Sequence, residues 1–195
     1  MKTSILTLGL AASVLQPHIA SASTDGPRPV KDLSQASAQI HWPRGFEPNA
    51  ADSFVHNEIF IDAPADAIWR NLVESTEWPK WYSNSSDMTI ADGKKKELGT
   101  GIDFTWKTFG FPIKSTVHEF VPNERLGWFG SGDGIRAYHT WLIIPRGRGC
   151  EVIREESQVG PSAIRYNIEQ PTAMYDGHHW WLTALKYRSE PAARN

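Results

Sequence analysis

Three titratable side chains fall where an apolar neighbour is expected. His139 has the same parity as Trp141 in an apolar, alternating run. Glu156 has the same parity as Val152 in the next such run. His178 interrupts a helical face otherwise made of Met174, Trp181, Leu182 and Leu185. Alternation places residues i and i+2 of a strand on one face, so all three should look inward. Two imidazoles and a carboxylate in one cavity can orient a ligand carbonyl or hydroxyl. They can also do general acid–base work, because histidine titrates near neutrality and burial can raise a glutamate pKa. The structural alternative is that Glu156 pairs with a nearby Arg or His and His178 caps a buried hydrogen bond. Histidine and glutamate also bind zinc, but the adjacent His178 and His179 cannot both point into one helical site, so no metal site is expected. Asn57 shares the inward parity of Val55 and Ile59 and joins the binding candidates. His118 stands beside Glu119, where a bulge could reverse the strand phase.

The second signal is aromatic. The chain has nine tryptophans. Phe104, Trp106, Trp128 and Trp141 share the inward phase of their strands, and Trp181 faces them from the helix. Such rings suit the walls of a site for a flat apolar ligand. They are equally able to fill a core, although so many are hard to pack without voids. The sequence contains no H-E-x-x-H, G-x-S-x-G, Walker or dinucleotide motif. The glycine-rich segment 130–134 lies between strands and reads as a hairpin loop. Lys94-Lys95-Lys96 reads as a solvated turn.

The elements that must position these residues follow from periodicity. Phe54 to Asp62 reads as a strand, ended by Ala63-Pro64. Ala65 to Glu74 is a short helix with Ile68, Trp69, Leu72 and Val73 on one side. Glu77 to Ser83 adds a second helical turn that presents Trp78 and Trp81. Strands follow at Ile102–Phe109, Ile113–Val121, Leu126–Gly130, Arg136–Ile144 and Cys150–Val159, with turns at 110–112, 122–124, 132–134 and 146–149. This spacing predicts an antiparallel meander. Thr172 to Tyr187 is an amphipathic helix. A strongly curved antiparallel sheet wrapped around that long C-terminal helix, with two short helices after the first strand, satisfies the order.

Composition narrows the setting. The 195 residues carry a formal charge of -2, which argues against nucleic acid or another polyanion as partner. A single cysteine, Cys150, allows neither an intrachain disulfide nor a cysteine-based zinc cluster. Residues 1–22 read as a secretory signal peptide: Lys2, the apolar run ILTLGLAASVL, then Ala20-Ser21-Ala22 as the cleavage site. Cleavage there leaves 173 residues and, with Lys2 lost, a charge of -3. The protein is expected to be exported, periplasmic or secreted, without stable membrane insertion. Asn84-Ser85-Ser86 is a glycosylation sequon that matters only in a eukaryote. Residues 23–51 lack periodicity and read as a leader that drapes over the domain or stays mobile, with Trp42 and Phe46 able to tack it down. The domain proper runs over 52–190.

Short motifs in order give the region 54–190 a family likeness. Ile61-Asp62-Ala63-Pro64 followed by Ala67-Ile68-Trp69, Glu77-Trp78-Pro79-Lys80-Trp81, Asn123-Glu124-Arg125-Leu126-Gly127-Trp128, and His139-Thr140-Trp141-Leu142-Ile143 through Gly149 with Glu156 to Gly160 together resemble the START/polyketide-cyclase-like (SRPBCC) superfamily. Cys150 stands where that superfamily often has threonine. The resemblance implies an α+β helix-grip fold and a small apolar partner, aromatic, polyketide- or lipid-like, between sheet and helix, with no cofactor. It leaves three functions open: a binding protein, a cyclase or dehydratase using His139, Glu156 and His178, or an interaction domain with a filled core.

Overall fold

Among the described residues the chain forms seven strands and four α-helices, most of them where alternation or helical periodicity is clear. The computed structural model describes residues 31–191. Residues 1–22, which read as a signal peptide, and the first part of the expected leader lie outside the described residues. Strand β1 (Ser53–Ile61) leads through Pro64 into α1 (Ala65–Val73), which buries Ile68, Trp69, Leu72 and Val73. A 3-10 turn (Ser75–Glu77) and the short α2 (Trp78–Trp81) follow. Then come β2 (Ser85–Ile90), β3 (Asp103–Thr108), β4 (Phe111–Val121), β5 (Arg125–Gly132), β6 (Ile135–Arg146) and β7 (Gly149–Val159). Helices α3 (Pro161–Glu169) and α4 (Ala173–Ser189) close the chain.

All neighbouring strands are antiparallel, in the order β1-β7-β6-β5-β4-β3-β2, and the sheet does not close. This is the helix-grip α+β arrangement, with α4 lying across the inner face of the sheet. Trp181 of α4 contacts Trp106 on β3, Trp128 on β5 and Trp141 on β6. One helical residue reaches strands this far apart only because the sheet bends around it.

Two elements are additions to the sequence-based expectation. Strand β2 carries almost no apolar alternation, lies at the sheet edge and is interrupted by a register shift after Ser86, where Asp87 has φ 52°. Helix α3 buries Ser162, Ala163 and Asn167 while Ile168 is exposed, so it lacks an apolar stripe. The turn expected over 110–112 tightens to Phe109-Gly110, both with positive φ (51° and 79°), and β4 begins at Phe111. At His118 the β4–β5 register shifts between Val117 and Glu119. His118 keeps the outward phase set by the buried Ile113, Ser115 and Val117, its ring against Phe129 and Tyr138, and the bulge holds Glu119 outward as well and sends Phe120 inward onto Trp69.

An antiparallel sheet commonly leaves one face in water. Here residues 31–51 cover part of the outer face. Ile40 packs with Leu142 and Ile153. The Trp42 ring lies 6.1 Å from Phe54 and 6.0 Å from Tyr138, and Phe46 lies 5.5 Å from Phe129. The Ser37 backbone N–H donates to Glu155 Oε1 at 2.7 Å, and His56 Nδ1 is 2.7 Å from the same oxygen. Glu155 is thereby fully buried on the face opposite Glu156.

Candidate functional site

The β6–β7 register places His139 opposite Glu156 and Trp141 opposite Arg154. Residues 152, 154, 156 and 158 of β7 alternate with the outward Ile153, Glu155 and Ser157, so Arg154, Glu156 and Gln158 enter the interior together. Glu156 Oε2 is 2.7 Å from His139 Nδ1, 3.0 Å from His178 Nε2 and 3.4 Å from Arg154 Nη2. The His178 contact is close, yet its direction does not make a well-formed hydrogen bond, and His178 Nδ1 has no partner. Glu156 Oε1 accepts a 2.7 Å hydrogen bond from Gln158 Nε2, and Gln158 Oε1 accepts one from Asn167 Nδ2 at 3.0 Å. The Arg154 guanidinium lies over the rings of Trp141 and Trp181, at 5.2 and 4.8 Å. Such stacking suits a weakly hydrated cation withdrawn from water.

Two expected candidates are therefore joined to a third through one carboxylate oxygen. Burial pushes the Glu156 carboxyl upward, as expected from the sequence, but His139 and His178 beside it overcome that and hold it well below the usual carboxylate range. The upward shift anticipated for a catalytic acid is thus corrected: Glu156 is a fixed anion. Burial and the neighbouring Arg154 hold His178 at about 3, so its imidazole is neutral near pH 7. Both groups have folded pKa values below their unfolded values, so both make stability fall as pH falls. The His178 contribution is present above its unfolded value of 6.5 and is lost as pH drops from there towards about 3. Its slope is at most about 1.4 kcal/mol per pH unit. Urea midpoints measured from pH 7 to pH 4 should fall less steeply for His178→Gln than for the wild type. Parallel curves would mean that His178 is solvated.

The five ring candidates do point inward, and there the expectation of a hollow is corrected. Trp78, from α2, occupies the centre. Its ring lies 5.5 Å from Trp106, 5.8 Å from Trp128 and 5.0 Å from Trp181, in contact also with Phe104. Tyr82 stacks on Trp181 at 4.5 Å. Edge-to-face packing lets these indoles interlock, so the rings fill the space rather than wall it. The remaining interior cavity is about 30 Å³ and lies beyond them, at the His139–Glu156 end. Phe109, Phe111, Ile113, Ile135 and Met174 form its apolar lining. None of Phe104, Trp106, Trp128, Trp141 or Trp181 lines it. Trp128 instead stacks on the His139 ring, with centroids 5.0 Å apart. Asn57 is on the inner face of β1, opposite Arg154, but its Nδ2 donates to the Tyr175 carbonyl at 3.2 Å and it does not line the cavity.

Two close approaches shape the cavity. A side chain on Gly130 would come within 3.2 Å of His139 Nε2. A Cβ on Gly177 would meet the Phe109 ring at 2.4 Å, so this mid-helix glycine seats Phe109 over His178. The sequence reading missed Arg154, Gln158, Asn167 and Met174 as parts of the site. Arg154 and Gln158 had a signal, the inward parity of Val152 and Glu156. Asn167 carries none, because α3 has no apolar stripe; Met174 is legible as part of the α4 face but not as a neighbour of the cavity. Among the described residues no group of three His, Cys, Asp or Glu side chains is arranged to hold a metal ion, and no helix is long and apolar enough to cross a membrane.

An open antiparallel sheet gripping a C-terminal helix is the α+β fold of the START/SRPBCC class. Within it, the chain belongs to the polyketide cyclase/dehydrase and lipid transport family, whose model matches residues 54–175. Among solved structures it is similar to a hypothetical protein from Helicobacter pylori, at 28% identity and a TM-score of 0.73, covering 77% of this chain and 96% of that one. The fold is shared with the Zhui aromatase/cyclase of a Streptomyces species (13% identity, TM-score 0.58, 72% and 95% covered). It is also shared with a START superfamily protein of Mycobacterium smegmatis (14% identity, TM-score 0.57, 70% and 96% covered). No match was found among proteins of curated function.

Proposed function

We propose that this is an exported binding protein that holds a small, flat, apolar molecule by a hydroxyl or carbonyl group at the His139–Glu156 end of its interior. The observation that carries this reading is the placement of a buried histidine, held by a carboxylate, at the inner end of a largely apolar cavity. His139 Nδ1 is held by Glu156, and the ring lines the cavity together with Gly130. The cavity, at about 30 Å³, accommodates a polar head group on the scale of a water molecule. A ring can follow only if a lining side chain such as Met174 or Phe109 moves.

The test uses 2-naphthol, titrated against tryptophan fluorescence. Binding by the wild type is expected. His139→Asn keeps a donor near Glu156 and removes Nε2, so it should weaken binding about 3–10-fold without unfolding the protein. Absence of binding, or equal affinity in the variant, overturns the reading and leaves the ring-filled core as a scaffold for interactions.

One observation favours a second reading. A carboxylate behind one imidazole nitrogen, with the ring at a cavity, is the arrangement of a histidine general base. A cyclase or dehydratase would use His139 as the base, with Glu156 positioning it as an ion rather than acting as an acid. His139→Ala would then abolish turnover of a polyketide-like substrate, whereas in a binding protein it lowers affinity alone. Export rests on the sequence of residues 1–22, and the mature protein should begin at Ser23 when its N-terminus is read by mass spectrometry. Retention of Met1 on secreted material would contradict it.

A further inference from the structure

A groove of about 540 Å³ runs on the surface between the leader, β1 and the two C-terminal helices. Asp32 and Gln35 form one side, Ser53 to His56 the floor, and Asn167, Ile168, Met174 and Tyr175 the other side. Met174 also lines the interior cavity, so its flexible side chain is shared by the two spaces. A polar connection crosses the same wall. Asn167, in the groove, donates to Gln158, which lines the cavity and donates to Glu156. Gln158 Nε2 also lies 3.6 Å from Met174 Sδ.

Around the groove carboxylates outnumber cationic groups, even counting His56, whose pKa is pushed up by its hydrogen bond to Glu155 and by Glu58. The groove lining includes Asp32 and no lysine or arginine. Its imidazole, His56, stands between two carboxylates, 2.7 Å from Glu155 and 3.5 Å from Glu58. Tyr175 is half exposed beside these groups, offering a ring face to a cation. Asp32 and Gln35 precede the region that matches the family model, so this side of the groove is supplied by the chain's own leader.

We propose that the groove is the outer half of a two-part site and takes the cationic, amine-bearing tail of an elongated ligand. The ligand's flat end passes Met174 into the cavity. Unbranched methionine, with three rotatable bonds, can vacate that wall at low cost. The tail meets Asp32 and Tyr175. This proposal rests on the binding reading above and names the class of ligand for it: a small arylalkylamine carrying a ring hydroxyl.

The experiment compares 4-(4-aminobutyl)phenol with the neutral 4-butylphenol, by calorimetry, on the full mature chain. The wild type is expected to prefer the amine about three-fold or more at low salt, as for an exposed charge pair. Asp32→Asn keeps the Ser34 turn contacts and should bring the ratio close to one, with 4-butylphenol affinity unchanged. Gln35→Glu should widen the ratio. Met174→Ala should speed association of both probes. Equal affinity of the two probes in the wild type, or a ratio that survives Asp32→Asn, overturns the groove while the interior reading stands. An unchanged association rate in Met174→Ala overturns the passage. Failure of the wild type to bind either probe overturns both.

Discussion

Glu156→Ala is expected to destabilise the protein by about 3–5 kcal/mol, because it strands a buried cation. Arg154 is 1% exposed, and its charged partner within reach is Glu156. Its Nε and Nη1 have no hydrogen-bond partner. Removing the carboxylate leaves the guanidinium with the faces of Trp141 and Trp181 and a 3.4 Å contact to His139 Nδ1, and it also frees His139 and Gln158 from their anchor. The double variant Arg154→Met/Glu156→Leu should recover much of the loss, since a buried ion pair replaced by apolar side chains of similar size is often nearly neutral. Urea unfolding of the two variants and the wild type checks this. A single variant within 1 kcal/mol of wild type would show that water reaches Arg154.

The second large effect is expected at Trp181. Its ring touches Trp78, Tyr82, Trp106, Trp128, Trp141 and the Arg154 guanidinium. Trp181→Ala removes an indole from the junction between α4 and five other elements and should cost about 3–5 kcal/mol. The melting temperature should fall by about 10 °C or more. Neighbouring Trp180 is 62% exposed, and Trp180→Ala should stay within about 0.5 kcal/mol of wild type. The same cavity that destabilises Trp181→Ala should admit indole, seen as a rise in melting temperature on adding it. Comparable losses from both substitutions would contradict the placement of α4.

The legibility of the site followed the legibility of its strands. His139 and Glu156 were found because β6 and β7 alternate cleanly, and strand parity is a local property of backbone geometry. His178 was found because 3.6-residue periodicity exposes a polar break in an apolar face. The Val117–Glu119 segment is a possible bulge site from sequence, but its consequence, Phe120 turning inward, follows only from the strand register. Helix α3 has no apolar stripe, so nothing in its sequence announced Asn167 as a bridge to the groove.

Composition, order and periodicity by themselves determined the α+β class, the antiparallel meander, the long C-terminal helix and the inward direction of the rings and of His139, Glu156 and His178. These depend on short-range geometry that repeats every two or 3.6 residues. Only the tertiary structure decided whether inward rings would enclose space or occupy it. That outcome depends on volumes contributed from distant parts of the chain: Trp78 arrives from α2, far from Trp106, Trp128 and Trp181, and fills the centre they would otherwise surround. The charge state of Glu156 is of the same kind, since it follows from imidazoles on β6 and α4 that meet it only when the sheet has curved around the helix.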